Sequence, residues 1–467
     1  MIQRLQISGF EVSDVENFND SIVFTDSRKC FLFNKKNGHI LLFSYEYLKE
    51  VLSKNMSPSF IRKLKSRGFI NKIPQNLNFE CKILPEFFMV DMTNQCNMHC
   101  KYCLRNIALG GEPISKKIIV DICEYINCYC EDVNLRDVSI QPWGGEPLLE
   151  IDNILLMRQL IKPNKTRVHF SIETNGTLLT QEIIKKLYEN RIGVGISIDG
   201  FAEVHDGQRV DITGSGTHKI VEKNFFETKK IFGDGIGTIT TLTKKNAGYA
   251  EDILEYFACH LGLKTVKFNY VHQSMFYDCA ELCLTADEIA DTEIKVLHKL
   301  IELNKRGYEI SEHNIATKIS NLLYCNYLDI CHSRGCCGGR KMIVFDRQGN
   351  IYPCEMTDTP SESIGNIYNG ESLIALVRKA VESREYFQPK RNDDCSVCDW
   401  FVFCRGGCTV RVISMGKKPP NIDEIECSVN KVLYPALVEL IIEDSEAVNM
   451  LLGEEAVKID KKGVWRC

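Results

Sequence analysis

Three cysteines stand close together near residue 100, in the run CNMHCKYC at residues 96–103. Three thiolates in one short loop can hold three irons of a cubane iron–sulfur cluster and leave the fourth iron open to another ligand. A structural zinc site is the alternative, but it takes four protein ligands, whereas this run supplies three cysteines. The spacing therefore favours an iron–sulfur cluster ligated by Cys96, Cys100 and Cys103.

A second and larger group of cysteines lies between residues 331 and 427. Its members are Cys331, Cys337, Cys354, Cys395, Cys398, Cys404, Cys408 and Cys427. These eight thiols are the number that two fully ligated four-iron clusters require. Two positions stay open, because Cys336 adjoins Cys337 and could replace it, and Cys325 lies near enough to Cys331 to compete.

The composition excludes several classes of protein. The chain has 22 cysteines among 467 residues, far more than a cytosolic protein keeps unless they bind metal. No apolar run approaches the roughly 20 residues that cross a bilayer, and no signal peptide opens the sequence, so we expect a cytoplasmic protein without a membrane partner. Lys and Arg total 57 against 62 Asp and Glu, a formal net charge of -5 that offers no footprint for nucleic acid.

The elements that must position these cysteines follow from the hydrophobic periodicity between residues 85 and 310. Short strands are predicted at 87–92, 138–141, 168–172, 194–198, 238–242 and 266–271. Helices are predicted between or after them, at 116–130, 151–161, 180–190, 218–232, 250–260 and 286–306. This alternation predicts an α/β fold whose parallel sheet curls into a partial (β/α)6 TIM-like barrel. Ligands are then expected at the carboxyl ends of the strands, where residues 96–103 fall.

The flanking regions have different patterns. Residues 1–75 read as strands with a hairpin turn at Asn37-Gly38, then helices near 45–53 and from Pro58, which together indicate a winged-helix-like module. Residues 311–430 are rich in Cys, Gly and Asp, which is typical of a cross-linked, loop-rich domain. A final apolar helix is predicted from about Val429 to Leu452, within a C-terminal region of residues 431–467.

The run at 96–103 resembles the signature of the radical S-adenosylmethionine (SAM) superfamily, in which an aromatic residue such as Tyr102 precedes the third Cys. The resemblance covers residues 85–310. It implies that a reduced cluster cleaves SAM to a 5′-deoxyadenosyl radical, which abstracts hydrogen from unactivated carbon. The cofactor-binding residues that it implies are Tyr102 near the adenine, Gly144, Gly145 and Glu146 at the amino group, Ser197 at the ribose or carboxylate, Arg209 at the carboxylate, and Asn175 and Asp199 at neighbouring strand ends. Turn chemistry is the alternative explanation for Asn175 and Asp199, since both precede Gly.

The segments GNIYPC at 349–354 and CRGGC at 404–408 resemble the SPASM domain. That resemblance implies three [4Fe-4S] clusters in all. Auxiliary cluster I would be held by Cys331, Cys337, Cys354 and Cys408. Auxiliary cluster II would be held by Cys395, Cys398, Cys404 and Cys427. A ferredoxin or flavodoxin-type protein is the expected reductant.

The N-terminal module resembles the recognition element of enzymes that modify ribosomally synthesised peptides, where an edge strand captures a leader segment by β-augmentation. We therefore predict a maturase for a ribosomal precursor peptide, with a Cys thioether as the expected product. Carbon–carbon cross-linking and epimerisation remain open.

Two other functions stay as alternatives: an anaerobic sulfatase-type maturase that makes formylglycine, and a non-catalytic iron–sulfur electron-transfer protein. Glu355, directly after Cys354, is the predicted catalytic base, and an exposed turn residue is its alternative role. Sulfatase-maturing enzymes have Asp at that position.

Overall fold

The computed structural model describes residues 3–6, 21–26, 28–53, 56–66, 69, 83–103, 105, 112–273, 278–324, 331, 336–357, 360–383, 392–417, 421–454, 456–459 and 465–466. The expectation about Cys325 lies outside these residues, as does most of the stretch between residues 67 and 82.

A four-stranded antiparallel sheet and two helices form the N-terminal part. The elements are β1 (Gln3–Gln6), β2 (Ser21–Thr25), β3 (Lys29–Asn34), β4 (Ile40–Ser44), α1 (Tyr45–Leu52) and α2 (Pro58–Ser66), and the strands pair in chain order. The predicted hairpin at Asn37-Gly38 is confirmed, since Gly38 has φ +73° and its N–H donates to the Asn34 carbonyl at 2.9 Å. The positive φ is one that glycine adopts without strain.

A ten-stranded sheet forms the centre of the fold. Its strands are β5 (Phe87–Thr93), β6 (Asp137–Gly144), β7 (Arg167–Thr174), β8 (Ile192–Ser197), β9 (Gly237–Leu242), β10 (Thr265–Tyr270), β11 (Ser311–Glu312), β12 (Met342–Phe345), β13 (Asn350–Tyr352) and β14 (Gly365–Asn366). The spatial order is β11-β10-β9-β8-β7-β6-β5-β12-β13-β14. All pairs from β11 to β12 are parallel, and the last two are antiparallel.

Helices alternate with the parallel strands as the sequence predicts. They are α3 (Lys116–Asp132), α4 (Ile151–Leu160), α5 (Gln181–Glu189), α6 (Ala202–Asp206), α7 (His218–Phe232), α8 (Ala250–Tyr256) and α9 (Ala286–Lys305). Side-chain caps help to set where several of them begin, and Ser115, Thr180 and Thr285 each accept a backbone N–H of the first turn. The mixed α/β fold with a parallel sheet is that of a TIM-like core.

The region after residue 310 holds more regular structure than its composition predicts. It contains α10 (His313–Tyr324), α11 (Leu373–Ser383), α12 (Asp393–Val397), α13 (Phe401–Cys404), α14 (Thr409–Ser414), α15 (Glu424–Glu443) and α16 (Ser445–Leu452), then the short strands β15 (Lys458–Ile459) and β16 (Trp465–Arg466). The prediction of one helix from Val429 to Leu452 is wrong. Two helices meet at Asp444, whose side chain accepts the Ala447 N–H at 3.0 Å and so starts a new helix.

The two faces of β5 pack differently. Phe88, Val90 and Met92 point into the main core beneath the helices, whereas Met89 packs with Met342 on the opposite face. Alternate strand residues face opposite sides, so this second face is the inner wall of the sheet. Among the described residues, no helix is long and apolar enough to cross a membrane.

Candidate functional site

The loop after β5 brings the first cysteines together. Cys96, Cys100 and Cys103 are all partly exposed. Burial raises the pKa of the Cys96 thiol to about 11, and the charges of Cys100 and Cys103 add to that rise, so the thiols lie near one another. The loop is fixed by backbone hydrogen bonds from His99 to Val210 and from Lys101 to Gln208, at 2.8 and 2.9 Å.

The cysteine groups suit clusters better than a single ion. Within the described ranges, no three His, Cys, Asp or Glu side chains converge tightly enough to hold one metal ion. A cubane cluster does not need such convergence, because each thiolate binds a different iron. The side chains of this loop that can bind metal are three thiols and the imidazole of His99, and iron–sulfur centres prefer the thiols.

Gly144 and Gly145 lie where β6 ends, against the backbone that leads into the cysteine loop. A Cβ on Gly144 would overlap the Thr93 carbonyl oxygen, and one on Gly145 would overlap the Gln95 carbonyl. The Gly145 N–H donates to the Thr93 carbonyl at 2.7 Å. The two glycines are therefore required by close packing of backbone on backbone, and their predicted contact with SAM stays a prediction.

Glu146 ties the ends of β6 and β7 together. Its carboxylate accepts the Thr174 hydroxyl at 2.6 Å, the Asn175 N–H at 2.8 Å and the Leu148 N–H at 3.1 Å. Burial raises its pKa, and these hydrogen bonds oppose that rise. Asn175 in turn donates from Nδ2 to the Asn97 side chain at 2.8 Å, while its Oδ1 accepts the Thr177 N–H at 2.9 Å. Asn175 thus forms a turn and also braces the cysteine loop.

Tyr102, Asp199 and Arg209 form a buried network beside Cys100. The Tyr102 hydroxyl donates to Asp199 Oδ2 at 2.7 Å and accepts from Arg209 Nη1 at 2.6 Å. Asp199 also accepts the Gln208 amide at 3.0 Å and the Thr241 N–H at 3.0 Å. Burial raises the pKa of Asp199, and the Arg209 charge lowers it. The structure therefore brings these three predicted residues together.

One hydrogen-bond donor of Arg209 could bind a ligand. Its Nε is buried and has no hydrogen-bond partner among the described residues. A buried N–H without an acceptor is costly, so an anionic ligand such as the SAM carboxylate fits this position. Ser197 ends β8 on the same edge of the sheet and is half-buried. The residues present fit SAM, with Arg209 as the strongest candidate contact.

Four of the cysteines after residue 331 lie near one another. Burial raises the pKa of Cys404 to about 12, and the charges of Cys427 and Cys398 raise it further. The charge of Cys395 likewise raises the pKa of Cys427. Their assignment to auxiliary cluster II, which the SPASM resemblance implies, stays a prediction.

The other group contains Cys336 where the prediction has Cys337. Burial raises the pKa of Cys354, with contributions from Cys336 and Cys331, and raises that of Cys408 to about 11, with Cys336 as the next cause. Cys336 and Cys354 also line one small cavity together with Thr357 and Thr409. Cys337 is 4% exposed, and its carbonyl accepts the backbone N–H groups of the following turn.

Glu355 lies between this group and the inner wall of the sheet. Its Oε2 accepts the Cys354 thiol at 3.1 Å, and Cys354 packs on the inner face of β5 and β12 with Met89. The charge of Glu355 also acts on Glu173 of β7. The predicted base is therefore half-buried beside the lumen of the sheet, and is not an exposed turn residue.

Sequence reasoning missed two sets of residues near the site. Arg105 pairs with Asp91 on β5 at 3.1 Å and lies 4.1 Å from the ring centroid of Trp143. Glu173 and Lys267 are charged residues on the inner face of the sheet. The sequence carries no clear signal for the second set, because β7 and β10 each contain several other polar residues.

The amino-acid sequence is similar to a known superfamily and to known enzymes. The sequence model of the Radical SAM superfamily matches residues 90–257. A cysteine-type anaerobic sulfatase-maturating enzyme of Clostridium perfringens is 23% identical over 340 residues, which cover 67% of this chain and 85% of that protein. The chain carries a radical SAM domain and is an enzyme.

Solved structures of two proteins share the fold. Native anSMEcpe with bound AdoMet and Cp18Cys peptide has a TM-score of 0.66 at 21% identity, covering 76% of this chain and 99% of that one. Streptococcus suis SuiB bound to precursor peptide SuiA has a TM-score of 0.54 at 16% identity, covering 87% and 98%. This chain resembles radical SAM enzymes that act on peptides or proteins.

Proposed function

We propose that this enzyme is a cytoplasmic maturase of a ribosomally synthesised precursor peptide, with three [4Fe-4S] clusters and a Cys thioether as its product. One observation carries the proposal. The strand β12 pairs with β5, and β5 runs into the Cys96 loop. Cys354 packs against the inner face of these two strands, so its cysteine group and the Cys96 loop border the same lumen. Substrate in the lumen would lie between the two.

The cofactors supply the radical chemistry when bound: reductive cleavage of SAM to a 5′-deoxyadenosyl radical. Cys96, Cys100 and Cys103 would hold the SAM-binding cluster. Arg209 would bind the SAM carboxylate, while Tyr102 and Asp199 hold its guanidinium in place. A ferredoxin or flavodoxin-type protein would supply electrons.

Glu355 would act as the base. Thioether formation requires the substrate thiol to lose its proton and one further electron to leave after hydrogen abstraction. Glu355 Oε2 lies 3.1 Å from Cys354 Sγ, so the carboxylate stands directly beside a proposed cluster ligand. We assign Cys331, Cys336, Cys354 and Cys408 to auxiliary cluster I, which replaces Cys337 by its neighbour. Cys395, Cys398, Cys404 and Cys427 would hold auxiliary cluster II.

The second candidate function is formylglycine formation in a sulfatase, which the relative from Clostridium perfringens favours. The N-terminal sheet favours the precursor-peptide function, and so does the likeness in fold to SuiB. The electron-transfer alternative is set aside, because the radical SAM domain indicates an enzyme.

The mass of the product separates the two maturases. The anaerobically reconstituted enzyme is incubated with SAM, dithionite and either a candidate Cys-containing precursor peptide or a sulfatase peptide. A thioether retains the sulfur and loses a pair of hydrogens, whereas formylglycine replaces the thiol by a carbonyl oxygen. A product that retains sulfur and resists alkylation supports our proposal. Conversion of a sulfatase peptide with loss of sulfur would support the alternative.

A further inference from the structure

The inner face of the parallel sheet carries an unpaired set of charges. Glu173 on β7 faces this side, because its neighbours Ile172 and Thr174 are buried on the other. Lys267 on β10 does the same, since Val266 and Phe268 lie in the main core. The two residues therefore look into the lumen from strands that are three apart in the sheet.

Two strands lie between these charges, and they differ in what they place on the inner face. Gly193 and Gly195 are inward positions of β8, and Glu173 stands opposite Gly195 in the register. On β9 the inward Ile239 stands opposite Lys267, and a Cβ on Gly195 would lie 3.7 Å from Glu173 Cγ and 3.9 Å from Ile239 Cδ1. Glycines inside a strand often mark the close approach of another backbone, and here they leave β8 without side chains beside Glu173.

Glu173 and Lys267 share the inner face of the sheet as separate, oppositely charged side chains. No ion pair within 4.0 Å joins Glu173 to Lys267 in the part of the chain that the structure describes. Glu173 is exposed on the lumen side of the sheet, and desolvation raises its pKa while Lys267 lowers it. Gln141 on β6 and Glu355 also lie within electrostatic reach of Glu173. A hydrogen-bond acceptor and a donor are thus held apart on the inner face of the sheet.

We propose that Glu173 and Lys267 bind one peptide unit of the substrate, in which the carboxylate accepts the amide N–H and the ammonium donates to the carbonyl oxygen. An extended peptide backbone fits against β8 because glycine leaves space for it. The residue held there lies near Glu355, so the clamp would select which position of the peptide reaches the base. This inference rests on the proposed function, since it assumes a peptide substrate.

The test uses a defined probe on the full-length, reconstituted protein. Binding of N-acetyl-cysteine methylamide at millimolar concentrations is measured by ligand-observed NMR, beside the same molecule methylated at both amide nitrogens. Methylation removes the N–H that Glu173 accepts. We expect the methylated probe to bind roughly tenfold more weakly to the wild type, and both probes to bind alike to Glu173→Ala, because hydrogen bonds to charged groups are worth about that much.

A second variant and its matched control test the lysine. Lys267→Met should weaken the binding of both probes by roughly tenfold. Lys264→Met should weaken the binding of neither probe, because Lys264 is exposed just before β10 and pairs with Glu309. If Glu173→Ala still discriminates between the probes as the wild type does, or if the wild type binds neither probe, the clamp is wrong. Formation of the sulfur-retaining cross-linked product from the precursor peptide by the wild type tells this failure apart from a failure of the proposed function.

Discussion

Glu355 is the residue on which the proposed chemistry depends most. Its place after Cys354 could be read from the sequence, but its exposure could not. The structure places the carboxylate beside the lumen, in a hydrogen bond with the Cys354 thiol and within electrostatic reach of Glu173. Spacing alone also could not decide between Cys336 and Cys337 as a cluster ligand, because the two cysteines are adjacent. In the structure, Cys336 Sγ and Cys354 Cβ each lie 3.5 Å from where a Cβ on Gly338 would be.

Glu355→Gln keeps the shape of the side chain and removes the base. We expect cluster content and 5′-deoxyadenosine release to stay near wild type, while cross-linked product falls roughly 10²-fold, the scale of a lost general base. Mass spectrometry of product per SAM cleaved is the measurement. Glu371→Gln, at an exposed position, is the control. Wild-type product per SAM cleaved in Glu355→Gln would make the residue a bystander.

The neighbouring cysteines give a second prediction. Cys336→Ala should lower iron and sulfide content and alter the electron paramagnetic resonance spectrum of one auxiliary cluster, because it removes a ligand. Cys337→Ala changes a buried thiol and should keep all clusters. The two variants control for each other, since they alter the same turn. The reverse result would restore Cys337 as the ligand.

At the scale of elements, the alternation of strands and helices could be predicted because each βα unit has its own hydrophobic period. The strand β12 (Met342–Phe345) could not be predicted in this way, because its place in the sheet depends on pairing with β5, more than two hundred residues earlier in the chain. Asp444 ends α15 and caps the start of α16. The apolar pattern continues across this break, so the sequence predicted one helix instead of two. The cysteine groups could be noticed from number and spacing, but their division between two auxiliary clusters rests on the SPASM resemblance and stays a prediction.

A buried carboxyl joins α9 to the elements around it. Glu293 faces Tyr270 on β10, Glu312 on β11 and Lys318 on α10, and Lys318 bonds to Glu426 of α15 at 3.1 Å. Burial raises the pKa of Glu293 to about 8, with Glu312 raising it further and Lys318 lowering it. A raised folded-state pKa means that its stabilising contribution is complete below the ordinary value of 4.5 and is lost as the pH rises through about 8.

Glu293→Gln should therefore gain stability relative to the wild type as the pH rises from 5 to 9, by on the order of a few kcal/mol at the upper end. The measurement is the thermal midpoint of the reconstituted protein across that range. Glu124→Gln on α3, an exposed position, should show no such trend. A difference from wild type that does not change with pH would contradict the account.

At the scale of the whole molecule, the N-terminal sheet is locked to the C-terminal region. The rings of Phe24 and Phe33 stack on Trp400 at 5.8 and 5.7 Å, and Trp400 stacks on Tyr434 of α15. The other face of this sheet packs on α1 and α2 through residues such as Phe60. Both faces are covered, so a captured leader segment would have to pair along an edge strand.

The central claim is that Cys96, Cys100 and Cys103 hold the cluster at which SAM is cleaved. Anaerobic incubation of wild type and the Cys96→Ala/Cys100→Ala/Cys103→Ala variant with SAM and dithionite, followed by chromatography of 5′-deoxyadenosine and iron analysis, tests it directly. We predict that the wild type holds three clusters and releases 5′-deoxyadenosine, and that the variant keeps two clusters and releases none. Release of 5′-deoxyadenosine by the triple variant would contradict the account.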